Sequence, residues 1–217
     1  MKTLAERYRH CFARRRFSAE IALGLFLLLG SLVINFYAGL FASHHASNAV
    51  TDIILDNLPV MDVDGFFIYG PFILWLIVGI LGLTKPQRMP FILQSIALFV
   101  LVRSGFVVLT HIGPFPDQIA IDYSSAFLHR FTFGGDLFFS AHTGTPFLMA
   151  LVFWRERFWR LFFIGAAIFF GAVVLLAHLH YSIDVAAAFF ITYSIYHLAR
   201  YFFPTSWHWF ETGIETN

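Results

Sequence analysis

From Ile21 to Ser43 the chain runs for 23 residues without a charged side chain. A helix of that length reaches ~34 Å, enough to cross the ~30 Å hydrocarbon core of a bilayer. Backbone groups in lipid have no water to bond to, so a helix is the structure such a segment can adopt there. Similar apolar runs follow, and their lengths predict six transmembrane helices at about 21–43, 66–83, 91–110, 136–153, 161–179 and 184–203. The fold class expected is therefore all-α, a six-helix transmembrane bundle. Residues 1–20 form a basic cytoplasmic segment, 21–203 the six-span domain and 204–217 a cytoplasmic tail. Composition agrees: 12% of residues are charged, against about 25% in soluble domains. The 29 phenylalanines are expected mostly to face lipid. The first run is too long, and preceded by too much charge, for a cleavable signal peptide.

Charge is segregated along the chain. Eleven of the 14 basic residues fall in three segments: Lys2 to Arg16, Lys85 with Arg88, and Arg155, Arg157 and Arg160. The segment 44–65 has no Lys or Arg and carries Asp52, Asp56, Asp62 and Asp64, while 111–135 has only Arg130. Basic loops stay in the cytoplasm, which places both termini inside and the two long loops outside. Trp154, Trp159, Trp207 and Trp209 read as anchors at the cytoplasmic interface. The four loop aspartates are expected to be a solvated face rather than a metal site. The basic clusters are topological, and no nucleic-acid partner is expected. Cys11 is the only cysteine, so no intramolecular disulfide forms, and neither a zinc-type cluster nor a Gly-rich nucleotide loop is present.

Four polar residues stand where lipid disfavours them, and an ionisable residue inside a membrane is a functional candidate. Arg103 lies seven residues before the outer end of the third span, ~10 Å deep. His142 lies six residues into the fourth span, ~9 Å deep. His180 ends the fifth span and Asp184 opens the sixth. All four fall in one layer under the outer face. His180 and Asp184 are four residues apart; if both are helical they share a face, and a carboxylate on one imidazole nitrogen raises the basicity of the other. The bland alternative is a capped helix start with a satisfied histidine. Arg103 offers a planar fork for phosphate oxygens, or a snorkelling side chain. In GGDLFFSAHTG the glycines precede a helix N-terminus suited to an anion, with Asp136 as an ordinary N-cap in the plainer reading.

The segments GDLFFSAHT and AHLHYSIDVAAAFFITY resemble the two signature segments of the sphingomyelin synthase family, part of the wider type 2 phosphatidic acid phosphatase superfamily. LVRSGFVVLTHIGPFP is similar to that family's Arg-containing span. The resemblance covers about residues 55–200 and is densest in the two signatures. It implies six spans, cytoplasmic termini and an outward-facing site. It implies that His142, His180 and Asp184 are catalytic: His180, oriented by Asp184, attacks the lipid phosphorus, and His142 protonates the departing diacylglycerol and later deprotonates the acceptor. Arg103, Ser140 and Thr143 are the candidate phosphate-binding residues. Neither metal nor other cofactor is implied. Two departures matter. Ala141 replaces the family glycine, and the phosphatase branch's Pro before Ser140 and Ser-Arg before His180 are missing, Phe139 and apolar residues standing there. These losses favour a synthase over a monoester phosphatase.

The partners expected are membrane lipids: a phosphocholine or phosphoethanolamine phospholipid as donor, ceramide or diacylglycerol as acceptor. Two competing readings are a lipid phosphatase or phospholipase C-like hydrolase, in which water replaces the acceptor, and a non-catalytic lipid-binding or transport protein. His111, His129 and His178 read as surface or packing histidines. Asp122, Tyr123 and Tyr181 are candidates to border a quaternary ammonium.

Overall fold

The computed structural model describes residues 3–118 and 137–214. Its α-helices are α1 (Leu4–Phe12), α2 (Arg15–His44), α3 (Asp64–Thr84), α4 (Met89–Leu109), α5 (Ala141–Val152), α6 (Arg157–Leu176), α7 (Ser182–Phe202) and α8 (Pro204–Thr212). No strand occurs among the described residues. Five helical segments are long and apolar enough to cross a membrane: Arg15–His44, Asp64–Thr84, Pro86–Leu109, Arg157–Leu176 and Ser182–Phe202.

The expected fourth span differs. It is helical for only 12 residues, Ala141–Val152, or ~18 Å of rise. Leu137 to Ser140 precede it as non-helical chain. The N-cap is Ser140, whose side chain accepts from the Thr143 N–H; Asp136, expected in that role, lies outside the described residues. A short helix suits this position because α5 is enclosed by protein, with Leu148, Met149 and Ala150 fully buried, and non-helical backbone at membrane depth is tolerated when protein covers it. Gly144 makes the enclosure possible. A Cβ there would lie 2.7 Å from the Phe99 ring on α4 and 2.9 Å from Thr192 Oγ1 on α7.

The central element is α4, which buries Phe91, Gln94, Ser95, Phe99, Arg103 and Ser104 among others. On α2 the buried face is small, with Gly24, Ser31 and Ala38 at seven-residue spacing, and α2 packs most extensively on α4. Small residues let membrane helices approach closely, where lipid supplies no hydrophobic drive to bring them together. The opposite faces are apolar and open: Phe26 is 74% and Phe190 77% exposed. The phenylalanines divide between two roles, because Phe91, Phe99, Phe139, Phe153 and Phe163 fill the core instead of facing lipid.

The two ends of the bundle are chemically distinct. At one end the Arg88–Glu156 ion pair, Lys85 Nζ at 3.7 Å from the same Glu156, and Arg155 Nε at 3.0 Å from Glu211 tie the connections to α8. Gln94 Nε2 donates to Glu20 Oε2 at 2.8 Å, and Ser206 Oγ to the same oxygen at 3.2 Å. At the other end the loops close on each other: the Ser47 N–H donates to the His111 carbonyl at 2.8 Å and the Met61 N–H to the Leu176 carbonyl at 2.9 Å. Gly113 passes directly over the Ser47 carbonyl, where a side chain has no room. His180 lies at this second end.

Candidate active site

The turn between α6 and α7 is built by a left-handed residue. His178 has φ 55°, a conformation uncommon outside glycine and asparagine. The Leu179 N–H donates to the Val174 carbonyl at 2.9 Å and the His178 N–H to the Leu175 carbonyl at 3.0 Å, the paired bonds of a Schellman helix end. His178 is held there by burial, with Nε2 at 3.2 Å from the Leu58 carbonyl and its ring edge-on to Phe115 at 5.0 Å. The chain leaves the turn at His180 and re-enters a helix at Ser182.

His180 and Asp184 therefore meet differently from the expected pair on one helical face. His180 is a turn residue, and Asp184 projects back to it from the first turn of α7. His180 Nδ1 lies 3.4 Å from Asp184 Oδ2. Both side chains are buried, Asp184 completely. Asp184 Oδ2 also accepts the Tyr181 N–H at 2.9 Å. Asp184 Oδ1 is buried without a hydrogen-bond partner among the described residues. The His–Asp contact is longer than the 2.7–2.9 Å of a tight charge-assisted bond.

Arg103 and His142 form the second pair. Arg103 is buried, and its Nε donates at 2.8 Å to the carbonyl of Phe139 in the non-helical stretch before α5. His142, in the first turn of α5, stacks on Phe67 of α3 at 4.2 Å, with Nε2 at 3.3 Å from the Phe67 carbonyl. Nothing in the sequence marked Phe67, one aromatic among many. Both residues line a cavity of about 230 Å³, together with Ala141, Asn35, Trp75 and Phe170. Ala141 stands at the position where the resembled signature has glycine, and it lines this cavity. His142 lies within electrostatic range of both His180 and Arg103. His180 and Asp184 are not among that cavity's lining residues, and the four expected residues sit on three helices and a turn, not on four helices.

Ser140 and Thr143 are fully buried and do not line that cavity. Ser140 Oγ caps α5 and lies 3.4 Å from the Thr143 hydroxyl, which donates to it, so here they shape the helix start that presents His142. His111 packs with its Nε2 at 2.9 Å from the Val108 carbonyl. Tyr181 is buried, not a surface for a cation. Asp122, Tyr123, His129 and Arg130 lie outside the described residues. Asp52, expected to be solvated, is 7% exposed and accepts three backbone N–H groups. They hold its carboxyl below its usual value: burial alone pushes it up, but the Ser182, Ile54 and Leu55 hydrogen bonds outweigh that.

The fold and these residues define a multi-pass helical membrane protein with a polar site buried at one end. Residues 134–201, spanning α5 to α7 and all three expected catalytic positions, match the family model described as PAP2 superfamily C-terminal. That match supports a place in the PAP2 superfamily, whose members are typically enzymes of phosphoryl transfer or hydrolysis. No curated protein and no solved structure matches the chain.

Proposed function

We propose that this protein is an integral membrane lipid head-group transferase of the sphingomyelin synthase type, moving phosphocholine or phosphoethanolamine from a glycerophospholipid to ceramide or a related lipid alcohol. The observation that carries the reading is the buried contact of His180 Nδ1 with Asp184 Oδ2 at 3.4 Å. A proton held on Nδ1 by the carboxylate leaves Nε2 as the nucleophilic nitrogen.

In the first step Nε2 of His180 attacks phosphorus, and the bond from phosphorus to the diacylglycerol oxygen breaks. Protonated His142 supplies the proton that this oxygen takes up. In the second step the acceptor hydroxyl attacks, His142 takes its proton, and the phosphorus–nitrogen bond breaks to restore His180. Arg103, which lines a cavity with His142, neutralises phosphate charge. Its planar fork is suited to phosphate oxygens, and among the described residues it is the one Lys or Arg lining the cavity, which suits a head-group-capped diester better than a doubly charged monoester.

A lipid substrate is supported by what adjoins the cavity. An apolar groove of about 520 Å³ between α2, α3 and α4 shares Leu32, Trp75 and Val100 with it, and runs past Gly79 toward Leu83. Its volume and apolar lining suit an acyl chain. The orientation proposed, with six spans, cytoplasmic termini and the site at the outer face, follows from the basic connections lying at the end opposite His180.

Purified protein incubated with head-group-labelled phospholipid, with and without ceramide, tests the reading. Labelled sphingolipid formed only with ceramide is the expected result. Release of water-soluble phosphorylated head group in both arms would assign a hydrolase, and no conversion in either arm a lipid-binding protein.

A further inference from the structure

Asp52 belongs to the loop between α2 and α3, which hydropathy marks only as polar connection. Its neighbours are exposed, Ile53 by 82%, yet Asp52 is buried. Its two oxygens divide their work. Oδ1 accepts the N–H groups of Ile54 at 2.9 Å and Leu55 at 3.2 Å, which fixes the loop on itself. Oδ2 accepts the N–H of Ser182 at 2.7 Å. Ser182 opens α7, two residues after His180.

The preceding N–H, that of Tyr181, goes to Asp184 Oδ2, the oxygen that also faces His180. Two carboxylates from distant parts of the chain therefore hold two consecutive N–H groups of the segment that carries His180. The Tyr181 side chain adds a second fastening. Its hydroxyl donates to the Gly113 carbonyl at 2.9 Å and accepts the Val50 N–H at 3.2 Å. Loops from two separate connections are thereby pinned to one turn, with Asp52 and Tyr181 as the pins. The first turn of α7 has N–H groups without intrahelical partners, and Asp52 answers one of them with a charge placed at the favourable end of the helix dipole.

We infer that Asp52 is a positioning residue: through the Ser182 N–H it holds the His180 turn in register with Asp184, so the first outer loop sets the geometry of the His180–Asp184 pair. The geometric claim concerns the turn itself; its consequence for turnover rests on the transferase reading. A shift of 1 Å in a reacting group can cost about 10²-fold in rate, so a loop that locks a turn governs kcat without touching substrate.

The test reads His180 directly, with no need for turnover. Detergent-purified wild type and the Asp52→Ala, Asp52→Asn and Asp52→Glu variants are treated with diethylpyrocarbonate, and the acylation rate of each histidine is followed by peptide mass spectrometry. Loosening the turn exposes His180. Its rate should rise at least about threefold in Asp52→Ala and Asp52→Asn and less in Asp52→Glu, with His208 at the opposite end unchanged, because the effect is one of local solvent access. In preparations that turn lipid over, kcat per folded protein should fall about 10- to 100-fold with KM within about twofold. An unchanged His180 rate in Asp52→Asn, the variant closest in shape, overturns the inference. So does a rise shared equally by His208, which reports general loosening. Wild type that acylates as expected but converts no lipid leaves the turn assignment standing and removes the transferase reading.

Discussion

The backbone N–H of Ser140 donates to the carbonyl of Asp184 at 3.2 Å. This bond joins the start of α5, two residues before His142, to the first turn of α7, where Asp184 faces His180. The two signature segments are thus connected through main chain, and side-chain substitution in either leaves the connection available. It gives the proposed acid and nucleophile a common frame although they belong to different pairs.

His180→Ala and Asp184→Asn should both reduce turnover by at least about 10³-fold, since one removes the proposed nucleophile and the other the carboxylate proposed to orient it. Membrane insertion should be normal. With donor alone, wild type should accumulate an acid-labile, base-stable head-group label that is missing from His180→Ala. Normal activity in purified His180→Ala would remove it as nucleophile.

His142→Ala should depend on the leaving group. A general acid contributes about 10²–10⁴-fold when the departing oxygen needs a proton. An aryl phosphodiester needs little protonation, so the loss should shrink toward tenfold or less in the first half-reaction. An equal loss with lipid and aryl substrates would show that His142 acts some other way.

The apolar groove predicts a chain-length effect. A Cβ at Gly79 meets nothing within 4 Å, and Gly79 lines the groove. Gly79→Trp should fill that space without a core clash. KM for long-chain donors should rise about tenfold or more, while a short-chain donor that does not reach Gly79 should be used as by wild type. This assumes ~0.8 kcal/mol per CH₂ displaced. Equal effects on both donors would place the acyl chain elsewhere.

Gly144→Ala should destabilise the protein by about 1–3 kcal/mol, the usual cost of overpacking, because its methyl would press on Phe99 and Thr192. Gly30, with nothing within 4 Å of its would-be Cβ, supplies the control. Gly30→Ala should be neutral or slightly stabilising, and thermal melting in detergent compares the two.

Asp52 carries a pH signature with a definite sign. Its folded pKa is below the ordinary 3.8, so it stabilises the fold fully at pH values above that figure and loses the contribution as pH falls through the depressed value. The melting-temperature difference between wild type and Asp52→Asn should be constant from about pH 7 to about pH 5 and narrow in stronger acid. A gap that stays constant through the acid range would show that the charge of Asp52 contributes nothing.

Hydropathy and charge were legible in the chain by themselves. Long apolar runs leave helices as the structure lipid allows, and basic residues concentrate in the connections that share one end of the bundle. The candidate residues were legible for a related reason: Arg103, His142 and Asp184 are polar where polarity is costly. Counting helix rise from Asp136 put His142 six residues into a helix, whereas it stands in the first turn of α5 after a non-helical stretch. The count said nothing of which way each side chain turns. Only the tertiary structure decided that α5 is a short helix sheltered by its neighbours, since shelter comes from contacts and not from local hydropathy. It decided that His180 meets Asp184 from a turn, which passes through a left-handed His178 packed against Leu58 and Phe115. It also separated Asp52 from Asp56, Asp62 and Asp64. The four aspartates look alike in sequence, and what distinguishes Asp52 is the N–H of Ser182, 130 residues away, a partner that exists only after the chain has folded.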